Sequence, residues 1–144
     1  MKNRYRILML FFCSIVCCGV PVNVISSEVL IIANPSVPAN SLGPKEIKNL
    51  FLGKTTQWEN HETVTIVVSK DINVHKSFLD RFIKRTDAQF KNVWRQNLFT
   101  GKGKQPVKVE TSEELLKYVS ETKGAIGYIF NDASIPEDVK VLVK

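Results

Sequence analysis

Three short runs of almost purely apolar residues constrain this fold more than anything else in the chain: Val29–Ala33 (VLIIA), residues 64–68 (VTIVV) and Ala125–Phe130 (AIGYIF). A strand with one wet face alternates apolar and polar residues. An unbroken run belongs to a strand covered on both faces, as in a parallel sheet between helical layers. The intervening stretches have helical spacing: Ile47, Leu50 and Phe51, then Val74, Phe78, Leu79, Phe82 and Ile83, then Phe90, Val93, Trp94 and Leu98. Strands alternating with helices predict an α/β domain with a mainly parallel sheet and helices on both faces. Val29–Ala33 is expected to be one of its buried parallel strands. A last strand is expected at 139–143, after a turn containing Pro136. No repeat, low-complexity tract or linker divides the chain.

The helix ends are well punctuated. In LGPKEIKNLFLGKTTQW (42–58), Pro44 suits the first helical position, which makes Gly43 the N-cap. Leu42 and Ile47 take the positions of a hydrophobic staple, and Glu46 meets the positive end of the helix dipole. Gly53 stops the helix, and Trp58 is expected to pack against it. Asp87 is expected to cap a third helix that ends at Gly101-Lys102-Gly103-Lys104. Thr111-Ser112-Glu113-Glu114 reads as a capping box, opening a fourth helix that Gly124 stops.

Residues 1–26 have the layout of a secretory signal peptide: Lys2, Arg4 and Arg6, then an apolar run from Ile7 to Val20, then acceptable cleavage residues up to Ser26. The expected mature domain is 27–144. All three cysteines (Cys13, Cys17 and Cys18) fall in the leader, so cysteine usage is silent on disulfides and metals. Without residues 1–26 the chain carries 17 Lys+Arg against 14 Asp+Glu, net +3. The charge is uneven. Residues 76–108 hold 9 basic and 2 acidic groups, a basic middle between two mildly acidic ends.

Few residues suggest chemistry. His61 and His75 are the only histidines and have no carboxylate pair at ligand spacing, so no metal or cofactor is expected. His75 is expected at the edge of its helix, in water. Thr56, Ser69 and Ser77 lack a nearby His–Asp arrangement, and no nucleophile elbow occurs, so the chain does not read as an enzyme. Gly101-Lys102-Gly103-Lys104 lacks phosphate-loop spacing.

The order of apolar strand, Asn34-Pro35-Ser36-Val37-Pro38, a helix ending Leu50-Phe51-Leu52-Gly53-Lys54, and then Trp58 resembles the type II periplasmic binding proteins. Within them it is most similar to the phosphate-binding components of ABC transporters and their small single-lobe relatives. Gly124-Ala125-Ile126-Gly127-Tyr128 and the Trp94 helix extend the resemblance from about Val29 to Ile129. It implies a periplasmic location and one lobe of a fold whose full-length members close two lobes on a ligand. The family's Arg-x-Asp-Gly-Ser-Gly-Thr-like run has no counterpart here. Ile72, Asn73 and Val74 stand where Ser-Gly-Thr would, so the phosphate residues do not carry over. What the resemblance retains is a helix N-terminus after a strand. Ligands of such sheets lie outside the strands' carboxyl ends, which gives Asn34, Ser36, Ser69, Lys70 and Asn73 as ligand-binding candidates. Two functions follow: binding a small oxyanion such as phosphate for uptake or sensing, or docking on an envelope or transporter protein, or a second copy, after loss of the ligand. Nucleic-acid binding is set aside because of export and the small net charge, and any membrane contact would be peripheral.

Overall fold

The computed structural model describes residues 27–143, so the segment read as a signal peptide lies outside the described residues. In chain order the elements are β1 (Val29–Ala33), α1 (Pro44–Phe51), β2 (Thr65–Ser69) and α2 (Ile72–Phe78), which runs into a π-helical turn (Leu79–Ile83). Then follow α3 (Asp87–Phe99), β3 (Val107–Val109), α4 (Ser112–Glu121), β4 (Ala125–Phe130) and β5 (Lys140–Val143). The sheet order is β3-β2-β4-β1-β5. β2 pairs in parallel with β3 and β4, whereas β1 is antiparallel to both β4 and β5. Four strands therefore run one way and β1 runs against them.

This corrects the expected direction of Val29–Ala33. All five of its residues are buried, as the apolar run requires. Burial on both faces says nothing about direction, however, and the partners that settle it come from the far end of the chain. β3 is a second difference. It is a three-residue edge strand, too short and too mixed for a periodic signal.

Alternate strand residues feed two cores. One face carries Ile31, Ala33, Val68, Ile126 and Tyr128 against α1, α2, the π-helical turn and α3. The other carries Leu30, Ile32, Val67 and Ile129 against α4. Gly127 lets α4 approach: a Cβ there would lie 2.8 Å from Leu115 Cδ2.

α1 forms as its punctuation predicts. Gly43 N–H donates to Glu46 Oε2 at 2.7 Å, and Gly53 leaves the helix at φ +68°. Ile47, Leu50 and Phe51 are buried. Phe51 packs on Phe78, which stacks flat on Tyr128 with ring centroids 3.9 Å apart. α3 closes the end of α1: Trp94 Nε1–H donates to Phe51 O at 3.0 Å and Asn97 Nδ2 to Leu52 O at 2.9 Å. Trp58 is buried as expected, with its Nε1–H donating to Gly124 O at 2.9 Å.

Two helix details depart from expectation. Thr86, not Asp87, caps α3, exchanging hydrogen bonds with Gln89 as a capping box and leaving Asp87 in the first turn. Leu98 is 41% exposed, although it continues the stripe of Phe90 and Trp94, because no element covers the flank of α3 toward β3.

Candidate functional site

The carboxyl end of β2, Lys108 of β3 and the start of α2 meet at an open cleft of about 470 Å³, bounded by α2, the π-helical turn and α3. Its floor is apolar, with Val68, Leu79 and Phe90, and its rim is basic, with Lys70, Lys76, Arg85, Lys91 and Lys108. Three of the lysines are already paired: Lys70 with Glu110, Lys76 with Asp80 at 3.0 Å, and Lys91 with Asp87 at 2.6 Å. Arg85 and Lys108 have no ion pair among the described residues.

Of the five candidate residues, Ser69, Lys70 and Asn73 stand at this end. Ser69 is buried. Its N–H donates to Tyr128 Oη at 3.2 Å and its Oγ accepts from Asp71 N–H at 3.0 Å. Asn73 is exposed. The N-terminus of α2 is already occupied: Asp71 Oδ1 accepts from Asn73 N–H at 2.8 Å and from Val74 N–H at 3.4 Å. A carboxylate of the chain itself thus takes the place an anion would seek at a helix start.

Asn34 and Ser36 are not brought to this end. β1 runs against β4, so its carboxyl end lies at the start of β4, where Asn34 N–H donates to Ala125 O. Asn34 is buried and its amide is fully engaged. Nδ2 donates to Val119 O at 2.9 Å and Ser120 O at 2.8 Å, and Oδ1 accepts from Ser36 N–H. Ser36 Oγ accepts from Gly124 N–H at 3.0 Å. The pair ties β1 to the end of α4 and the start of β4, the opposite end of the sheet from Ser69. Their inclusion beside Ser69 follows from reading β1 as parallel.

His75 is a further correction. It does not ride in water but sits at the cleft wall, with Nδ1 on Tyr128 Oη and Nε2 3.2 Å from Asp87 Oδ1. One proton arrangement satisfies every group. Ser69 N–H donates to Tyr128 Oη, Tyr128 O–H to His75 Nδ1, and His75 Nε2–H to Asp87. A proton added at Nδ1 would face the tyrosine hydroxyl as a second donor. Burial lowers the His75 pKa below its ordinary value, and the hydrogen bond to Asp87 opposes this only in part. Burial also raises the Tyr128 phenol. Asp87 is lowered although its burial raises it, because the hydrogen bond and charge of Lys91 prevail. Both ring nitrogens of His75 are engaged, so the chain Tyr128–His75–Asp87–Lys91 positions the cleft wall. This network carried one sequence signal: a tyrosine in an all-apolar strand needs a partner for its hydroxyl.

No protein-family model matches the chain, and no curated protein sequence does either. Solved structures do. An ABC-type phosphate transport receptor from Vibrio cholerae superposes with a TM-score of 0.61 at 15% identity, over 79% of this chain and 44% of that one. PstS from Borrelia burgdorferi gives 0.62 at 15% identity, over 80% and 46%. A Clostridium perfringens protein described as a phosphate ABC transporter substrate-binding protein, solved with phosphate bound, gives 0.63 at 17% identity, over 79% and 43%. The chain spans less than half the length of each, and identity this low speaks of fold alone. The described residues share the α/β fold of phosphate ABC transporter substrate-binding proteins over less than half the length of those proteins.

Proposed function

We propose that this chain is an exported, non-catalytic accessory of oxyanion uptake or sensing, with phosphate the first candidate, and that it works as half of a receptor. The observation that carries this reading is the open basic cleft at the strand ends. An anion enclosed between two walls loses its water and gains donors from both. One lobe leaves half of it hydrated, so each hydrogen bond competes with solvent. In this reading the second wall comes from another chain, a second copy or an envelope or transporter protein. The neighbours' phosphate and the leader-like residues 1–26 support the ligand class and the location. Phosphate calorimetry on the protein purified from its native envelope, compared with the isolated monomer, tests it. The assembled species should bind at least about tenfold more tightly. Equal affinity in both would overturn the half-receptor reading.

A second reading, a docking module that no longer takes a ligand, is favoured by one observation: Asp71 fills the α2 N-terminus with the chain's own negative charge. Phosphate binding by neither species is its signature.

A further inference from the structure

On the face that carries α1, α2 and α3, the helical layer stops short of the β3 edge. α4 covers β3 on the opposite face, where Val107 and Val109 join the core. On the near face the edge residue is Lys108, which is exposed. Between it and α3 runs an open groove of about 320 Å³, with Phe90, Trp94 and Leu98 along one side and Val68 and Pro106 along the other. The groove continues into the strand-end cleft, since Val68, Phe90, Lys91 and Lys108 line both. Ile72, 75% exposed, stands at one end and Leu98 at the other; beside Leu98, Phe99 is 93% exposed. These are the large apolar side chains left exposed among the described residues.

The banks are positive. Lys91, Arg95 and Lys108 flank the groove, and Lys70 and Arg85 flank the cleft. The carboxylates lining the two, Asp80 and Asp87, are each paired with a lysine. Along α3 the span from Phe90 to Leu98 is about 12 Å at the helical rise. That is room for roughly four residues of extended chain, with the cleft beyond.

We propose that this groove docks an acidic, amphipathic segment of a partner protein, whose apolar side chains cover the exposed Leu98 over the buried floor of Val68 and Phe90 while its carboxylates meet Arg95, Lys108 and Arg85. A concave apolar floor between basic banks fits a peptide better than a flat bilayer, and charge complementarity selects Asp and Glu. The proposal goes beyond the half-receptor reading and does not require that phosphate bind.

Fluorescence anisotropy with a labelled synthetic peptide of three Asp-Leu-Glu-Phe repeats tests it on the purified protein. Binding should saturate and should weaken as salt rises from about 25 to about 150 mM. It should fall at least about tenfold in R95E/K108E and in Leu98→Asp. These positions are exposed, and a thermal melt checks folding; where one of these variants melts early, R95Q/K108Q and Leu98→Ala replace it and should weaken binding in the same direction. Three results would overturn the proposal: equal affinity in the charge-reversed protein, equal affinity for a peptide with Lys at the acidic positions, or binding only to anionic phosphatidylglycerol vesicles. Phosphate calorimetry on the same samples reports separately on the half-receptor reading.

Discussion

Replacing Asp71 with serine removes the charge from the mouth of α2 while keeping a side-chain oxygen that can cap it. In the parent protein Asp71 Oδ1 takes the N–H groups of Asn73 and Val74. An oxyanion placed there competes for the same donors and sits about 4 Å from a like charge. At an effective dielectric of about 20 that repulsion is about 4 kcal/mol before salt screening. Two or three charge-assisted hydrogen bonds, each worth roughly 1.5–3 kcal/mol, gain little more than that once immobilisation of the ion is included. The parent monomer should therefore bind phosphate no better than about millimolar, near −4 kcal/mol. In Asp71→Ser most of the repulsion disappears. Even after screening the gain should reach at least about 1.4 kcal/mol, or tenfold.

Stability should hardly change, because serine and aspartate are comparable N-caps; a shift within about 0.5 kcal/mol is expected. The assay is calorimetry of phosphate into both proteins, each shown by light scattering to be monomeric. Micromolar affinity in the parent monomer would refute the reasoning about one wall. Unchanged affinity in Asp71→Ser would refute the assignment of the helix terminus as the anion's place.

Three further outcomes follow from the packing. Trp58→Ala should lose roughly 3–5 kcal/mol in denaturant unfolding, since it empties a core site and removes the donor to Gly124 O; unfolding like the parent would mean the ring is not packed. Gly124→Ala should cost more than Gly101→Ala, although φ is +71° and +70°, because the new Cβ meets Thr63 O at 2.3 Å in one and open space in the other. The conformational part is about 1–2 kcal/mol in both, and urea midpoints give the difference. Because its folded pKa lies below 6.5, His75 should contribute stability fully above about pH 6.5 and lose it as pH falls toward the folded value. Asp87, also lowered, adds a loss only as pH falls below about 3.8. Urea midpoints between about pH 7.5 and 5 should drop in the parent and drop less in His75→Gln, with Tyr128, Asp87, Lys91 and Lys108 the titratable and charged groups around the ring.

Most of the fold was legible because its signals are local. Pro44 and Gly53 bracket α1, Gly124 stops the chain after α4, and the six residues of β4 are spelled out as AIGYIF. What stayed hidden is long-range. β1 meets β4 and β5, partners about a hundred residues away, and nothing in VLIIA records which way it runs beside them. That one direction decides the site. With β1 parallel, Asn34 and Ser36 would share an end with Ser69; with β1 antiparallel they serve as ties at the other end. His75 was misplaced for a similar reason. Its position in α2 is visible, but Tyr128 and Asp87, which draw it inward, come from β4 and α3.

The antiparallel strand also bears on the half-receptor proposal. At the Asn34 end the buried amide and the Ser36 hydroxyl are spent on the backbone. The strand-end face keeps an apolar floor, exposed Ile72, and Arg85 and Lys108 without carboxylate partners among the described residues. A lobe stabilised at one end and left with open apolar and basic groups at the other retains the requirements of a bound state, since apolar area and charge gain most when covered together by a complementary partner. Asp71 takes the backbone donors at the α2 N-terminus that a small anion would seek, whereas no carboxylate lines the groove beside α3. The face is therefore better matched to a second chain than to a free ion, and phosphate binding, where it occurs, should follow the arrival of that chain.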